Sequence, residues 1–212
     1  MTKTLLTFGD SNTHGTPPIV ARGPYFRFGP DSRWPTVARA AMGADWTLVE
    51  EGLPGRTTAH PDPVMGAHMN GQTGLAMALE SHGPIDLLTI MLGTNDLKTH
   101  FGLTPDGIVA GVAGLLAIAK SDLYQIRHGG FDVMLICPPA VIEQGPISDV
   151  FFGAAAKSQA LPALYRALAA HWGVAFLDAG AHIAPCPSDG VHFTADSHRA
   201  LGQAVAARMA VL

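Results

Sequence analysis

Two short motifs near opposite ends of this sequence carry side chains that together could attack an acyl carbon. The segment Phe8-Gly9-Asp10-Ser11-Asn12-Thr13 places the Ser11 hydroxyl directly after an apolar run, and Asp189 and His192 stand three positions apart. A carboxylate that holds one imidazole nitrogen leaves the other nitrogen able to take a proton from a serine hydroxyl. We therefore predict a catalytic triad with Ser11 as nucleophile, His192 as general base and Asp189 as the residue that orients His192.

Two further motifs could stabilise the negative charge that develops on the attacked carbonyl oxygen. Pro54-Gly55-Arg56-Thr57 and Gly93-Thr94-Asn95-Asp96 each follow a predicted strand. A glycine can present its backbone N–H to a substrate without interference from a Cβ atom, and an asparagine can present its side-chain amide. Each such donor typically contributes about 3 to 4 kcal/mol to catalysis. We predict Gly55, Asn95 and the N–H of Ser11 as the oxyanion hole.

Three neighbours of Ser11 are candidate substrate-binding residues. Asp10 and Asn12 flank the nucleophile, and His14 follows it by three positions. For Asp10 the alternative is a bracing role in its turn. The segment from Gly15 to Asp31 then forms a long loop, and long loops in compact domains are often functional.

These motifs are expected on alternating strands and helices. The predicted strands are 3–8, 46–50, 86–92, 132–137 and 174–178, and the predicted helices are 33–42, 74–81, 105–127, 152–172 and 196–209, with a boundary or kink expected at Pro162. Strands that alternate with helices favour right-handed crossovers and a parallel sheet. We predict one domain spanning residues 1–212, an α/β three-layer αβα sandwich with about five parallel strands. The motifs would meet at the carboxyl edge of that sheet, where open α/β folds bind their ligands.

Composition excludes several other classes of function. The net charge is −4 and the lysines and arginines are scattered, which argues against nucleic-acid binding. No apolar run approaches the roughly 20 residues of a membrane helix, and no signal-peptide cleavage region is evident, so we expect a cytoplasmic protein without a membrane partner. The two cysteines, Cys137 and Cys186, form no CxxC pair and are expected as free thiols. No histidine pair has metal-ligand spacing, and we expect neither a metal nor a cofactor.

The order of these motifs resembles that of a known enzyme family. Gly9-Asp10-Ser11, Gly55, Gly93-Thr94-Asn95-Asp96 and Asp189-Gly190-Val191-His192 occur as they do in SGNH (GDSL) hydrolases, and the similarity spans almost the whole chain. The segments 8–11, 50–53, 56–58, 90–96 and 176–180 are similar to the mycobacterial arylesterase and acyltransferase branch. The resemblance implies a flavodoxin-like fold and the same triad and oxyanion residues that the chemistry suggests. It also implies perhydrolase-like acyl transfer and a homo-oligomer.

The expected activity is therefore hydrolysis of small acyl esters through an acyl-serine intermediate, with transfer to alcohols or peroxide if the site excludes water. Carbohydrate deacetylation or lysophospholipid hydrolysis would be served by the same residues. An alternative from a different class is a flavodoxin-like phosphate- or nucleotide-binding module, in which residues 10–13 hold a phosphate at a helix N-terminus. That alternative leaves Asn95, Asp189 and His192 without a role, and the chain lacks the GxGxxG and GxxxxGK[ST] motifs. A charged fraction of only 14% also favours a homo-oligomer, with the loop from Gly15 to Asp31 as a candidate contact.

Overall fold

A parallel five-stranded sheet forms the centre of the protein, as a computed structural model that describes residues 2–21, 23 and 26–211 shows. The strands are β1 (Lys3–Gly9), β2 (Trp46–Gly52), β3 (Leu87–Met91), β4 (Asp132–Cys137) and β5 (Ala175–Asp178). Their order is β2-β1-β3-β4-β5, and every adjacent pair is parallel. The carboxyl ends of all five strands therefore lie at one edge of the sheet.

Helices connect the strands and cover the sheet. Their bounds are α1 (Ser11–His14), α2 (Trp34–Met42), α3 (Gly71–Ser81), α4 (Pro105–Ala119), α5 (Asp122–His128), α6 (Ala154–Trp172) and α7 (Ala195–Met209). Four 3₁₀ turns, 67–69, 95–97, 99–101 and 179–181, lie in the connections.

Helices pack on both faces of the sheet, and side chains alternate between these faces along each strand. The central strands are therefore buried on both faces. In β3, Leu88 and Ile90 belong to the core under α3, α4 and α6, whereas Leu87 and Met91 belong to the core under α2 and α7. All five residues of β3 are buried, which explains why four of them are apolar, with Thr89 as the exception. The predicted α/β class and three-layer αβα architecture are confirmed.

The single helix predicted over 105–127 is wrong, because the chain forms two helices there. Helix α4 ends at Ala119, and α5 is bent by 47° from it. Side chains satisfy the last carbonyl groups of α4: Ser121 Oγ donates to Ile118 O at 2.8 Å, and Gln125 Nε2 donates to Ala119 O at 2.8 Å. Among the described residues no single helix is long and apolar enough to cross a membrane, and only α4 and α5 counted together meet the criteria of length and composition.

Tertiary packing also overrides two local signals in the sequence. The boundary or kink expected at Pro162 is absent as a boundary, since α6 continues through it while Leu161 and Tyr165 are buried on either side. Helix α3 begins at Gly71 instead of residue 74, because Asn70 Oδ1 accepts hydrogen bonds from the N–H groups of Gln72 and Thr73.

Candidate active site

Ser11 lies at the carboxyl edge of the sheet because a tight turn joins β1 directly to α1. Gly9 ends the strand, and a Cβ atom there would approach Thr13 Oγ1 to 2.0 Å and the backbone oxygen of Met91 to 2.8 Å. Asp10 is the N-cap of α1, and its Oδ1 accepts a hydrogen bond from the N–H of Asn12 at 2.9 Å. Ser11 is consequently the first residue of the helix, where a backbone N–H has no acceptor within the helix.

The loop before α7 is built around the buried carboxylate of Asp189. Its Oδ1 accepts hydrogen bonds from the N–H groups of Val191 (3.0 Å) and His192 (2.9 Å). Its Oδ2 accepts from Ile19 N at 2.6 Å and lies 2.7 Å from His192 Nδ1. Burial raises the pKa of Asp189, but hydrogen bonds from His192, Ile19 and Val191 outweigh burial, so the pKa lies below its usual value. Asp189 is therefore an ionised carboxylate.

A continuous hydrogen-bond chain connects Asp189, His192 and Ser11. The Asp189 carboxylate fixes the His192 tautomer that carries a proton on Nδ1. The opposite nitrogen, Nε2, lies 3.0 Å from Ser11 Oγ and can accept its proton. All three side chains are buried, with exposed fractions of 0% for Asp189, 5% for His192 and 7% for Ser11. The arrangement can deprotonate a serine hydroxyl in a site that is largely shielded from water.

Three hydrogen-bond donors lie beside Ser11. Ser11, Gly55 and Asn95 all line the same cavity. The backbone N–H groups of Ser11 and Gly55 have no acceptor among the residues that the structure describes. Asn95 Nδ2 donates one N–H to Arg56 O at 3.1 Å, which orients the amide, and its second N–H has only the long contact of 3.4 Å to Asp10 Oδ2.

Asp96 joins the segments that follow β2 and β3. Both of its carboxylate oxygens accept from the N–H of Thr58 at 3.0 Å, and Oδ1 also accepts from Thr58 Oγ1 at 2.5 Å. Burial raises the pKa of Asp96, and the hydrogen bonds from Thr58 act against that rise. Because Gly55 and Asn95 lie on the two segments that this contact joins, Asp96 holds the candidate oxyanion donors in register.

The structure does not bring the predicted substrate-binding residues Asp10, Asn12 and His14 to the cavity wall. Asp10 is 1% exposed and contacts Asn12 and Asn95, which is the bracing role. Asn12 Nδ2 donates to the backbone oxygen of Val191 at 3.1 Å, and so ties α1 to the loop of Asp189. His14 Nδ1 lies 3.2 Å from the backbone oxygen of Gly52, at the end of β2. All three side chains support the turn that carries Ser11.

A cavity of about 700 Å³ opens above Ser11 and His192. Its walls are mostly apolar, and three segments supply them: residues 16–21 of the long loop, Val64 and Met65 of a turn, and Ile147, Val150 and Phe151 from the segment before α6. Such a cavity is large enough for a small organic substrate, which it would bind largely through apolar contacts.

One polar corner of this cavity was not predicted from the sequence. Asp62, Lys98 and His100 line it together, with Lys98 Nζ 3.0 Å from Asp62 Oδ2 and His100 Nε2 3.5 Å from Asp62 Oδ1. The available signal was the position of Lys98 three residues after Asn95. Asp62 gave no such signal, because it lies in a loop without a recognisable motif. Among the described residues, no group of three or more His, Cys, Asp or Glu side chains is arranged to hold a metal ion.

The comparison with protein families agrees with the geometry of the site. Residues 7–200 match the GDSL-like lipase/acylhydrolase family. The chain belongs to this family. The match includes the end of β1, the turn at Ser11 and the loop of Asp189 and His192, and it confirms the expected SGNH (GDSL) membership.

Solved structures of related enzymes resemble this GDSL family member over nearly its full length. The native aryl esterase of M. smegmatis is 37% identical with a TM-score of 0.93, and 99% of each chain is covered. Est24, a carbohydrate acetylesterase from Sinorhizobium meliloti, is 36% identical with a TM-score of 0.92 and the same coverage. A second carbohydrate acetylesterase family member from Sinorhizobium meliloti is 33% identical with a TM-score of 0.90, covering 99% of this chain and 98% of that one. A search of curated proteins found no match.

Replacing Asp10 should change how stability depends on pH. Burial raises the pKa of Asp10 from 3.8 to about 6, so between these pH values the folded protein binds more protons than the unfolded chain. The free energy of unfolding therefore falls as the pH rises from about 4 to about 6. Asp10→Ser keeps an N-cap acceptor but removes the carboxylate. The free energy of unfolding of this variant should therefore rise relative to that of wild type as the pH increases from about 4 to about 6. Urea unfolding at a series of pH values measures the difference.

The matched control is Asp106→Ser, which removes an exposed carboxylate from the first turn of α4. Its free energy of unfolding should run parallel to that of wild type across the pH series. A parallel curve for Asp10→Ser as well would contradict the assignment of a buried, proton-binding Asp10.

Proposed function

We propose that this protein is a cofactor-free serine esterase that cleaves small acyl esters through an acyl-Ser11 intermediate. The observation that carries the proposal is the hydrogen-bond chain from Asp189 through His192 to Ser11 Oγ, at the floor of an apolar cavity. Aryl esterases and carbohydrate acetylesterases among the similar structures support an ester substrate.

Acylation begins when Ser11 Oγ bonds to the acyl carbon and its proton passes to His192 Nε2. The electron pair of the C=O π bond moves onto the carbonyl oxygen, and Asp189 stabilises the imidazolium that forms. When the carbonyl re-forms, the bond to the leaving oxygen breaks and His192 returns the proton to that oxygen. The products are the alcohol and acyl-Ser11.

The oxyanion of each tetrahedral intermediate would be bound by three donors: the N–H groups of Ser11 and Gly55 and the Asn95 amide. Such donors act most strongly where they are fixed before the reaction and shielded from water. The backbone oxygen of Arg56 and the Asp96 carboxylate provide that fixation, because the first accepts one N–H of Asn95 and the second joins the segments of Gly55 and Asn95. The second N–H of Asn95 would exchange its 3.4 Å contact with Asp10 Oδ2 for the oxyanion.

Deacylation repeats these steps with a water or an alcohol as the nucleophile and His192 as the base. The apolar walls at 16–21, Ile147, Val150 and Phe151 favour an alcohol over water inside the cavity. Acyl transfer to an alcohol or to peroxide is accordingly proposed as a second outcome of the same intermediate. Cleavage of acetylated carbohydrates is the alternative that the similarity to Est24 supports.

A phosphate- or nucleotide-binding role has weaker support. Helix α1 has only four residues, and the Asp10 carboxylate already accepts the N–H of Asn12 at its N-terminus. A phosphate binds a helix N-terminus through several backbone N–H groups that have no other acceptor. At α1 it would instead lie against the negatively charged carboxylate of Asp10.

Removing the Ser11 hydroxyl tests the nucleophile. Ser11→Ala should lower kcat for 4-nitrophenyl acetate by at least about 10⁴-fold, because the acyl carbon loses its attacking oxygen. A serine-reactive phosphonate should add once to wild type and not to the variant, as intact mass spectrometry measures. Ser81→Ala, at the exposed end of α3, is the control and should keep full activity. Undiminished hydrolysis by Ser11→Ala, or no adduct on wild type, would refute the proposal.

Partition of the acyl enzyme tests acyl transfer. With 4-nitrophenyl acetate and added 1-propanol, propyl acetate should form in proportion to the alcohol concentration, at the expense of acetate. Val150→Thr places a hydroxyl in the apolar wall at nearly constant volume and should shift the product ratio toward acetate. Gas chromatography of both products measures the ratio. Acetate as the sole product at high alcohol concentration would exclude transfer.

Self-association is proposed from the apolar rim of the cavity, which consists of Val20, Phe26, Val64 and Met65. These side chains are exposed by 78%, 64%, 79% and 42%, and exposed apolar patches of this kind mark interaction surfaces. Light scattering should give a mass that is a multiple of 22.1 kDa, and Val20→Asp together with Val64→Asp should reduce it. A wild-type mass of one chain would refute the homo-oligomer.

A further inference from the structure

The polar corner formed by Asp62, Lys98 and His100 is the one part of the cavity described above that the esterase mechanism does not use. The side chains of Asp62 and Lys98 are 0% and 9% exposed, whereas that of His100 is 30% exposed. Burying an ammonium group in an otherwise apolar wall is costly unless the charge is paired and hydrogen-bonded. Lys98 is paired with Asp62, but a buried ion pair is seldom more stabilising than apolar side chains of similar volume. The pair therefore points to a role in binding a ligand.

Asp62 accepts three hydrogen bonds from protein groups. Its Oδ1 accepts the N–H groups of Val64 (2.8 Å) and Met65 (3.0 Å), and its Oδ2 accepts from Lys98 Nζ. Burial raises the pKa of Asp62, but these hydrogen bonds outweigh burial and lower it, so the group is a carboxylate. Asp62 therefore holds the turn at 62–66 and neutralises Lys98, and its side chain, with no exposed surface, offers a ligand less contact than Lys98 or His100 does.

Lys98 has donor capacity left over for a ligand. An ammonium group has three N–H donors. One points to Asp62 Oδ2 at 3.0 Å, and a second has only the weak acceptor Met65 Sδ at 3.4 Å. The N–H donors of Lys98 that are not bonded to Asp62 are available to a ligand in the cavity, since Lys98 and Met65 both line it.

The backbone places Lys98 next to the reacting centre. Asn95 begins a 3₁₀ turn over Asn95–Leu97, and the N–H of Lys98 donates to Asn95 O at 3.2 Å. Residues three positions apart eclipse each other in this geometry, so their side chains leave the backbone on the same side. Because Asn95 and Lys98 also line the same cavity, a substrate whose carbonyl oxygen contacts Asn95 can extend toward Lys98.

The charge of the corner selects the ligand. Lys98 and Asp62 form a neutral pair, so an added carboxylate or phosphate would meet the buried Asp62 as well as the ammonium. A neutral hydroxyl oxygen of a ligand can accept an N–H of Lys98 without that repulsion. His100, which lies beside Asp62, can donate to or accept from a second hydroxyl group.

We infer that Lys98, held by Asp62 and accompanied by His100, is a subsite for hydroxyl groups of the substrate. Esters of polyhydroxy compounds, whose hydroxyls lie a few bonds from the acyl group, are then the preferred substrate class. This inference rests on the proposed esterase function, because it assigns the polar part of the substrate and leaves the acyl chemistry to Ser11.

The test compares two esters with the same acyl group and the same carbon skeleton, 2,3-dihydroxypropyl acetate and propyl acetate. Lys98→Met with Asp62→Asn removes the charge pair together and so leaves no unpaired buried charge. In this variant kcat/KM should fall about tenfold more for the dihydroxy ester than for propyl acetate, which corresponds to about 1.4 kcal/mol. Lys120→Met, an exposed lysine at the end of α4, is the control and should leave the ratio at the wild-type value.

Two results would overturn the subsite: a ratio of kcat/KM for the two esters that is the same in the double variant as in wild type, or a wild-type preference for a carboxylate-bearing acetate over the dihydroxy ester. Equal losses would make the pair a structural support for the turn at 62–66. Failure of the esterase proposal is recognised separately, because wild type would then neither release 4-nitrophenol nor take up the phosphonate on Ser11.

Discussion

The buried carboxylate of Asp189 is the constraint on which the active-site geometry depends. Its two oxygens accept from the backbone of its own loop, from His192 and from Ile19 of the long loop. One ionised group thus shapes the turn before α7, selects the proton position on His192 and holds the wall of the cavity at residues 16–21. A carboxylate so deeply buried is stable only while all of these donors are in place. The chemistry and the shape of the cavity are therefore maintained by the same hydrogen bonds.

Much of the architecture could be predicted from the sequence because its signals are local. The central strands appear as mainly apolar runs, since β3 and its neighbours are covered on both faces, and the motifs follow the strands at the carboxyl edge. The break between α4 and α5 could not be predicted from periodicity. It depends on Ser121 and Gln125, whose side chains satisfy carbonyl groups that a continuous helix would have used. Pro162 illustrates the opposite case, in which burial of Leu161 and Tyr165 outweighs a local helix breaker.

The residues of the site divide in the same way. The order of the motifs singled out five residues: Ser11, Gly55, Asn95, Asp189 and His192. The structure places four of them in the wall of one cavity, and the fifth, Asp189, is hydrogen-bonded to His192. Closeness to Ser11 in the sequence was a poor guide to which side chains line the cavity. Asp10 and Asn12 turn inward because capping and tethering α1 satisfies their polar atoms. Asp62 and Lys98, by contrast, meet only through tertiary structure, across 36 positions of sequence.

The hydrogen bond between Ser11 and His192 joins residues 181 positions apart. Ser11 belongs to the first strand-to-helix unit, whereas His192 precedes the last helix, so this contact forms only when the two ends of the chain pack together. Contacts of such long range form late in folding, because the loop they close is costly in entropy. A partly folded chain whose two ends are apart consequently lacks the hydrogen bond between Ser11 and His192. Hydrolytic activity is a property of the completed fold alone, and its appearance during refolding marks the docking of the two ends.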